Sequence, residues 1–138
     1  MNDTSRKTLE QVVDECGRYP LDAFEFVRHG LNHAVERIHG NRDNLTDTQC
    51  HVTGQQLSLG LRDYAVLKYG TMAEAVLNHW RIHRTGDFGR IVFAMVESRL
   101  MQKTDEDDLR DFEDVYDFRT AFGVPPRPSL AHPPVFQL

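Results

Sequence analysis

The stretch that most restricts the fold of this chain is FGRIVFAMVESRLM, residues 88–101. Phe88, Ile91, Val92, Met95 and Leu100 recur at helical spacing, and Phe93, Ala94 and Val96 widen the apolar surface. A helix apolar over so much of its circumference has to be buried on more than one side. The rival reading is a strand, because IVFAMV also suits a buried β run. Length favours the helix, as does Thr85, placed to cap it with Asp87 in the first turn, where the helix dipole favours a negative charge. The same segment contains the letters DFG, which in a protein kinase hold a magnesium ion. A kinase Asp sits in a loop, accompanied by a Gly-rich loop and a catalytic HRD loop. Neither accompanies Asp87, so Asp87 reads as a helix-start residue.

A buried rod needs helices to cover it, and the preceding sequence supplies them. Thr8-Leu-Glu-Gln11 is a capping box, in which the Thr hydroxyl accepts a backbone N–H and the Gln side chain reaches back. Leu9, Val12, Val13 and Cys16 follow on one face, and Gly17 is a stop. Pro20 suits a first helical position. Phe24, Val27, Leu31, Val35 and Ile38 then form an amphipathic face that ends at Gly40. Gly30 inside it predicts a close neighbour on that side. A polar loop, residues 40–50, leads to a second box, Thr53-Gly-Gln-Gln56. Leu57, Leu61, Tyr64 and Ala65 line the next face, which Gly70 ends. Thr71-Met-Ala-Glu74 reads as a third box, opening a shorter helix through Trp80. RIHRTG then reads as a turn.

After Met101 the texture changes. Residues 105–118 hold eight acidic side chains and one basic, so most of the net charge of −5 lies in one short segment. QKT, DEDDLRD and FEDVYDF read as a short strand, a turn and a returning strand. From residue 123 onward the chain holds five of its six prolines and reads as an extended tail. The expectation is therefore a mainly α (α+β) protein: a helix-turn-helix, winged-helix-like core with two N-terminal helices and a short C-terminal β-ribbon. It places one globular domain at 1–122, with a helical hairpin at 8–40 and the winged-helix-like half at 52–118. The length of 138 residues suits one domain.

YPLDAFEFV, HVTGQQLSLGLRDYAVLKYG, VLNHW, DFGRIVFAMVE and DFEDVYDF, read in order, resemble the Minf-type family of uncharacterised bacterial proteins. The resemblance spans most of residues 9–122. It implies no activity and carries over no site residue. It does imply Gly after the tryptophan, where this chain has Arg81, which sets a tight Gly-type turn in question there.

Candidate chemistry is sparse. His29 and His33 are four apart on one helix, and His79 and His83 repeat the spacing, which allows two imidazoles to share a metal ion. No HExxH or paired-Cys spacing accompanies them. Cys50 and His51 adjoin in sequence without an orienting group. The two cysteines form no CxxC, and no Gly-rich phosphate loop is present. Neither a catalytic constellation nor a cofactor is expected, so the chain does not read as an enzyme. The first 15 residues lack an apolar signal region and the longest apolar run, Ile91–Val96, is too short for a membrane span, which points to a cytoplasmic protein with no membrane partner.

Two interaction readings remain. A winged helix would use Arg81, Arg84, Arg90 and Arg99 toward DNA. The acidic segment would be repelled by phosphate, and the apolar third helix leaves few side chains to read bases. The favoured reading is a protein-interaction or adaptor domain. Its contacts would be Asp105, Glu106, Asp107 and Asp108 in the acidic segment, with Pro125 and Pro128 of the PxxP-like tail.

Overall fold

The computed structural model describes residues 8–40, 52–101 and 108–123. Along the chain lie α1 (Leu9–Cys16), α2 (Leu21–His39), α3 (Gly54–Tyr69), a 3-10 turn (Gly70–Met72), α4 (Ala73–His79) and α5 (Thr85–Glu97). A second 3-10 turn (Leu109–Phe112) and α6 (Phe118–Phe122) complete the order. Among the described residues there is no strand. The winged-helix sheet and C-terminal β-ribbon are therefore corrected: the described fold is all-helical.

The acidic residues explain the correction. Asp108 caps the second 3-10 turn, accepting from the Arg110 N–H at 2.9 Å, while the Asp111 carboxylate accepts from the Asp108 N–H at 3.2 Å. Asp117 caps α6, accepting from the Thr120 N–H at 3.1 Å. Carboxylates at these positions satisfy backbone donors that a helix start leaves open. The aromatics that suggested a returning strand serve the same local helices: Phe112, Phe118 and Phe122 are buried, the last two one turn apart.

Both capping boxes before it form. Thr8 Oγ1 accepts from the Gln11 N–H at 3.2 Å, and Thr53 Oγ1 from the Gln56 N–H at 3.0 Å; the Gln side chains return both contacts. The third box does not form. Gly70–Met72 tightens into a 3-10 turn, and α4 starts after Met72 without a side-chain cap. Pro20 is the N-cap of α2 rather than its first residue.

One core draws on α1 to α6. The hairpin and the second half anticipated from sequence share it. α2 and α3 pack closely because small residues meet at the crossing: a Cβ on Gly30 would overlap Leu61 Cδ2, and one on Gly60 would come within 2.6 Å of Ala34 Cβ. Phe26 joins four elements, with its ring 5.4 Å from Tyr64, 5.6 Å from Trp80 and 6.4 Å from both Tyr69 and Phe88.

α5 is the interior rod. Phe88, Ile91 and Met95 are fully buried, and Gly89 lets Phe112 approach its backbone. Each such large side chain contributes about 1.5–3 kcal/mol on leaving water. The helix stops at Glu97, short of the expected residue 101. Arg99 turns left-handed (φ 63°), its N–H reaching Val96 O and the Leu100 N–H reaching Met95 O at 2.8 Å. This paired closure is a Schellman motif, which satisfies the last carbonyls.

Candidate functional site

The N-terminal end of α5 gathers the buried polar chemistry. Arg84, not Thr85, is the N-cap residue. Thr85 is buried in the first turn, and its Oγ1 accepts from the Val115 N–H at 3.1 Å, tying the C-terminal segment to α5. Asp87, at 3% exposure, receives four donors. Oδ1 accepts from the Tyr19 hydroxyl at 2.6 Å and from Arg90 at 2.9 Å; Oδ2 accepts from the backbone N–H of His83 at 2.8 Å and of Arg84 at 3.3 Å. Burial alone would raise this carboxyl. The hydrogen bonds from Tyr19, His83, Arg84 and Arg90 outweigh burial and hold it below its ordinary value. Burial, helped by the bond to Asp87, pushes the Tyr19 phenol up to about 12. A carboxylate so fully engaged is a brace between the α1–α2 turn, the α4–α5 turn and the rod.

On the outer side of Tyr19 lies an open cleft of about 370 Å³. The α1–α2 turn forms one wall with Arg18, Tyr19 and Asp22; the end of α4 forms the other with His79, Trp80 and Arg81. Trp80 is fixed from behind by Phe26 and by Tyr69, edge-on at 6.0 Å. Arg81 is left-handed (φ 67°). Its N–H bonds Asn78 O, and the Ile82 N–H bonds Leu77 O, both at 2.9 Å, so α4 also closes in a Schellman motif. The Gly-type turn that Arg81 put in question is present, with arginine in the position that suits glycine. Arg18 lies over the Tyr19 ring at 5.9 Å.

The four arginines of the DNA reading do not form one surface. Arg81 lines the cleft, Arg84 is exposed at the start of α5, and Arg90 is bonded to Asp87. Arg99 lies past the far end of a 13-residue helix, about 20 Å away. The rod leaves open a narrow strip, with Arg90 and Glu97 exposed and Phe93 half-buried between them, and Arg90 is its one cation. The histidine pairs fare differently from each other. His29 and His33 share α2, with His29 exposed and His33 against Tyr64 at 5.4 Å. His79 ends α4, and His83 follows the left-handed turn, so this pair shares no helical face. His83 Nδ1 instead meets Asn78 Oδ1 at 2.8 Å. Among the described residues no three His, Cys, Asp or Glu side chains are grouped to hold a metal ion. Asp105, Glu106, Asp107, Pro125 and Pro128 lie outside the described residues, as do Cys50 and His51. Asp108 is a cap, bonded also to Arg110 at 3.1 Å.

A further surface was not anticipated. At the end of α3 and through the following turn, Val66, Leu67 and Met72 are exposed, Leu67 at 71% and Met72 at 59%. Residues 64–73, YAVLKYGTMA, hold one charged side chain, Lys68. Amphipathicity was the available signal: Val66 and Leu67 fall off the buried face of α3. The cleft had none, because Arg18 and Arg81 are brought together only by packing. Among the described residues no helix is long and apolar enough to cross a membrane. No family model, curated protein or solved structure matches the chain, so the resemblance to the Minf-type family has no further support and function rests on geometry.

Proposed function

We propose that this chain is a non-catalytic protein-interaction domain whose contact surface is the end of α3 and the turn after it. The observation that carries the reading is the exposure of Leu67 and Met72 within a segment holding one charge. Interface cores are depleted of Lys, Glu and Asp and enriched in methionine and aromatic side chains, such as Met72 and Tyr69 of this segment. An unbranched thioether adapts to a partner's shape. Within the acidic segment Asp108, Asp111 and Asp117 also serve as caps, and Asp105, Glu106 and Asp107 lie outside the described residues.

The test is a photoreactive side chain at position 67 in native cells, with the same probe at exposed Asp14 as control. The reading requires a discrete protein adduct at 67, absent at 14 and lost when Met72→Asp is added. Equal labelling at both positions defeats it.

A further inference from the structure

The geometry points to a second site: the cleft between the α1–α2 turn and the end of α4 binds a small phosphate ester, held by Arg18 and Arg81 against Trp80. Three observations carry it. First, an arginine stands on each of two opposite walls, Arg18 and Arg81, and His79 lines the cleft beside Arg81. Neither arginine is in an ion pair among the described residues: Arg18 lies over a ring, and the described bonds of Arg81 are from its backbone. Forked guanidinium donors match the oxygens of a phosphate group.

Second, Arg81 occupies a left-handed position where glycine is the economical residue. A long cation there is unnecessary for closing α4, and its place on the cleft wall gives it a use. Third, Trp80 is half-buried, and Phe26 and Tyr69 fix its ring from the core side while its remaining surface lines the cleft. An aromatic wall beside two cations suits an anion carrying a ring. The volume of about 370 Å³ sits at the small end of the range for small-molecule sites. Asp22 is the one acidic side chain on the lining. It stands in the first turn of α2, where the dipole favours it, and it disfavours ligands with more than one anionic group crowded at that wall.

The test uses the full chain, whose single tryptophan makes Trp80 the sole indole reporter. Phenyl phosphate, inorganic phosphate and phenol are titrated while Trp80 fluorescence is read. Saturable change with phenyl phosphate, weaker change with inorganic phosphate and none with phenol is the expected pattern. Arg18→Ala and Arg81→Gly should each weaken phenyl phosphate about tenfold, the scale of one charge-assisted hydrogen bond. Arg81→Gly keeps the left-handed turn, so its thermal midpoint should hold or rise, separating lost binding from lost fold. No saturation with phenyl phosphate, an equal response to phenol, or wild-type binding by both variants would overturn the site.

Discussion

The two ends of α5 are built differently. At the N-terminal end a buried carboxylate takes four donors, and a buried threonine takes a fifth, the Val115 N–H of the C-terminal segment. At the C-terminal end the chain closes with two backbone bonds and the apolar side chain of Leu100, beside core Met95. The first end is specified by charge and depends on every partner being present. The second is closed by backbone geometry, with the Arg99 and Leu100 N–H groups on the last carbonyls. The polar end therefore fixes how α5 sits against α1, α2 and α4, while the other end only stops it.

The largest effect that follows is on Asp87. Asp87→Ala strands the Tyr19 hydroxyl and two backbone donors, and should destabilise the fold by about 3 kcal/mol. Arg90 is partly exposed and rehydrates, which keeps the loss from being larger. A urea midpoint lowered at unchanged slope is the expected result. A loss under about 1 kcal/mol would show that the polar end is no more exacting than the other.

Tyr19→Phe removes one donor and leaves the carboxylate three, so the expected loss is about 1–1.5 kcal/mol. The ends also differ in their response to pH. Asp87 is depressed in the fold, so its contribution is present above the unfolded carboxyl value, about 4, and is lost as pH falls through the folded value. Tyr19 is raised to about 12, so its contribution is complete below the unfolded phenol value of about 10. It disappears as pH rises through the folded value. Stability measured from pH 2 to 12 should show both limbs in wild type, a flattened acid limb in Asp87→Ala and a flattened alkaline limb in Tyr19→Phe.

These effects show what sequence could and could not disclose. Helices α1, α2 and α3 were legible because Thr8, Thr53, Gly17, Gly40 and Gly70 act on their own neighbours within a turn. The rod was legible from its apolar residues, but its end was not, since arginine at 99 gives no hint of a left-handed closure. Asp108 and Asp117 were misread because acidic residues near aromatics suit a solvated hairpin as well as a helix cap; Asp111, three residues after Asp108, was the missed cue. Tyr19 and Asp87 are 68 residues apart, and nothing local to either announces their bond. The same holds for Arg18 and Arg81 across the cleft. The exposed end of α3 sat in plain view as an apolar surplus, yet periodicity describes the face a helix buries, not the one it leaves open.

The smallest effect bears on the two left-handed closures, at Arg81 and Arg99. A side chain in this conformation carries about 1–2 kcal/mol of steric strain, which glycine lacks. Glycine returns about 0.5–1 kcal/mol of that through its greater freedom in the unfolded chain. Arg81→Gly should therefore stabilise by about 0.5–1 kcal/mol, a rise of about 2–3 °C in thermal midpoint. Arg81→Ala, which keeps the Cβ, should gain nothing, and Arg81→Val should lose stability through its branched side chain. A gain with alanine equal to that with glycine would trace the effect to removing a cation beside Arg18 rather than to the backbone. In that case charge would govern this turn as it governs the nearby start of α5, and the contrast between closures set by backbone and contacts set by charge would hold only at the far end of the rod.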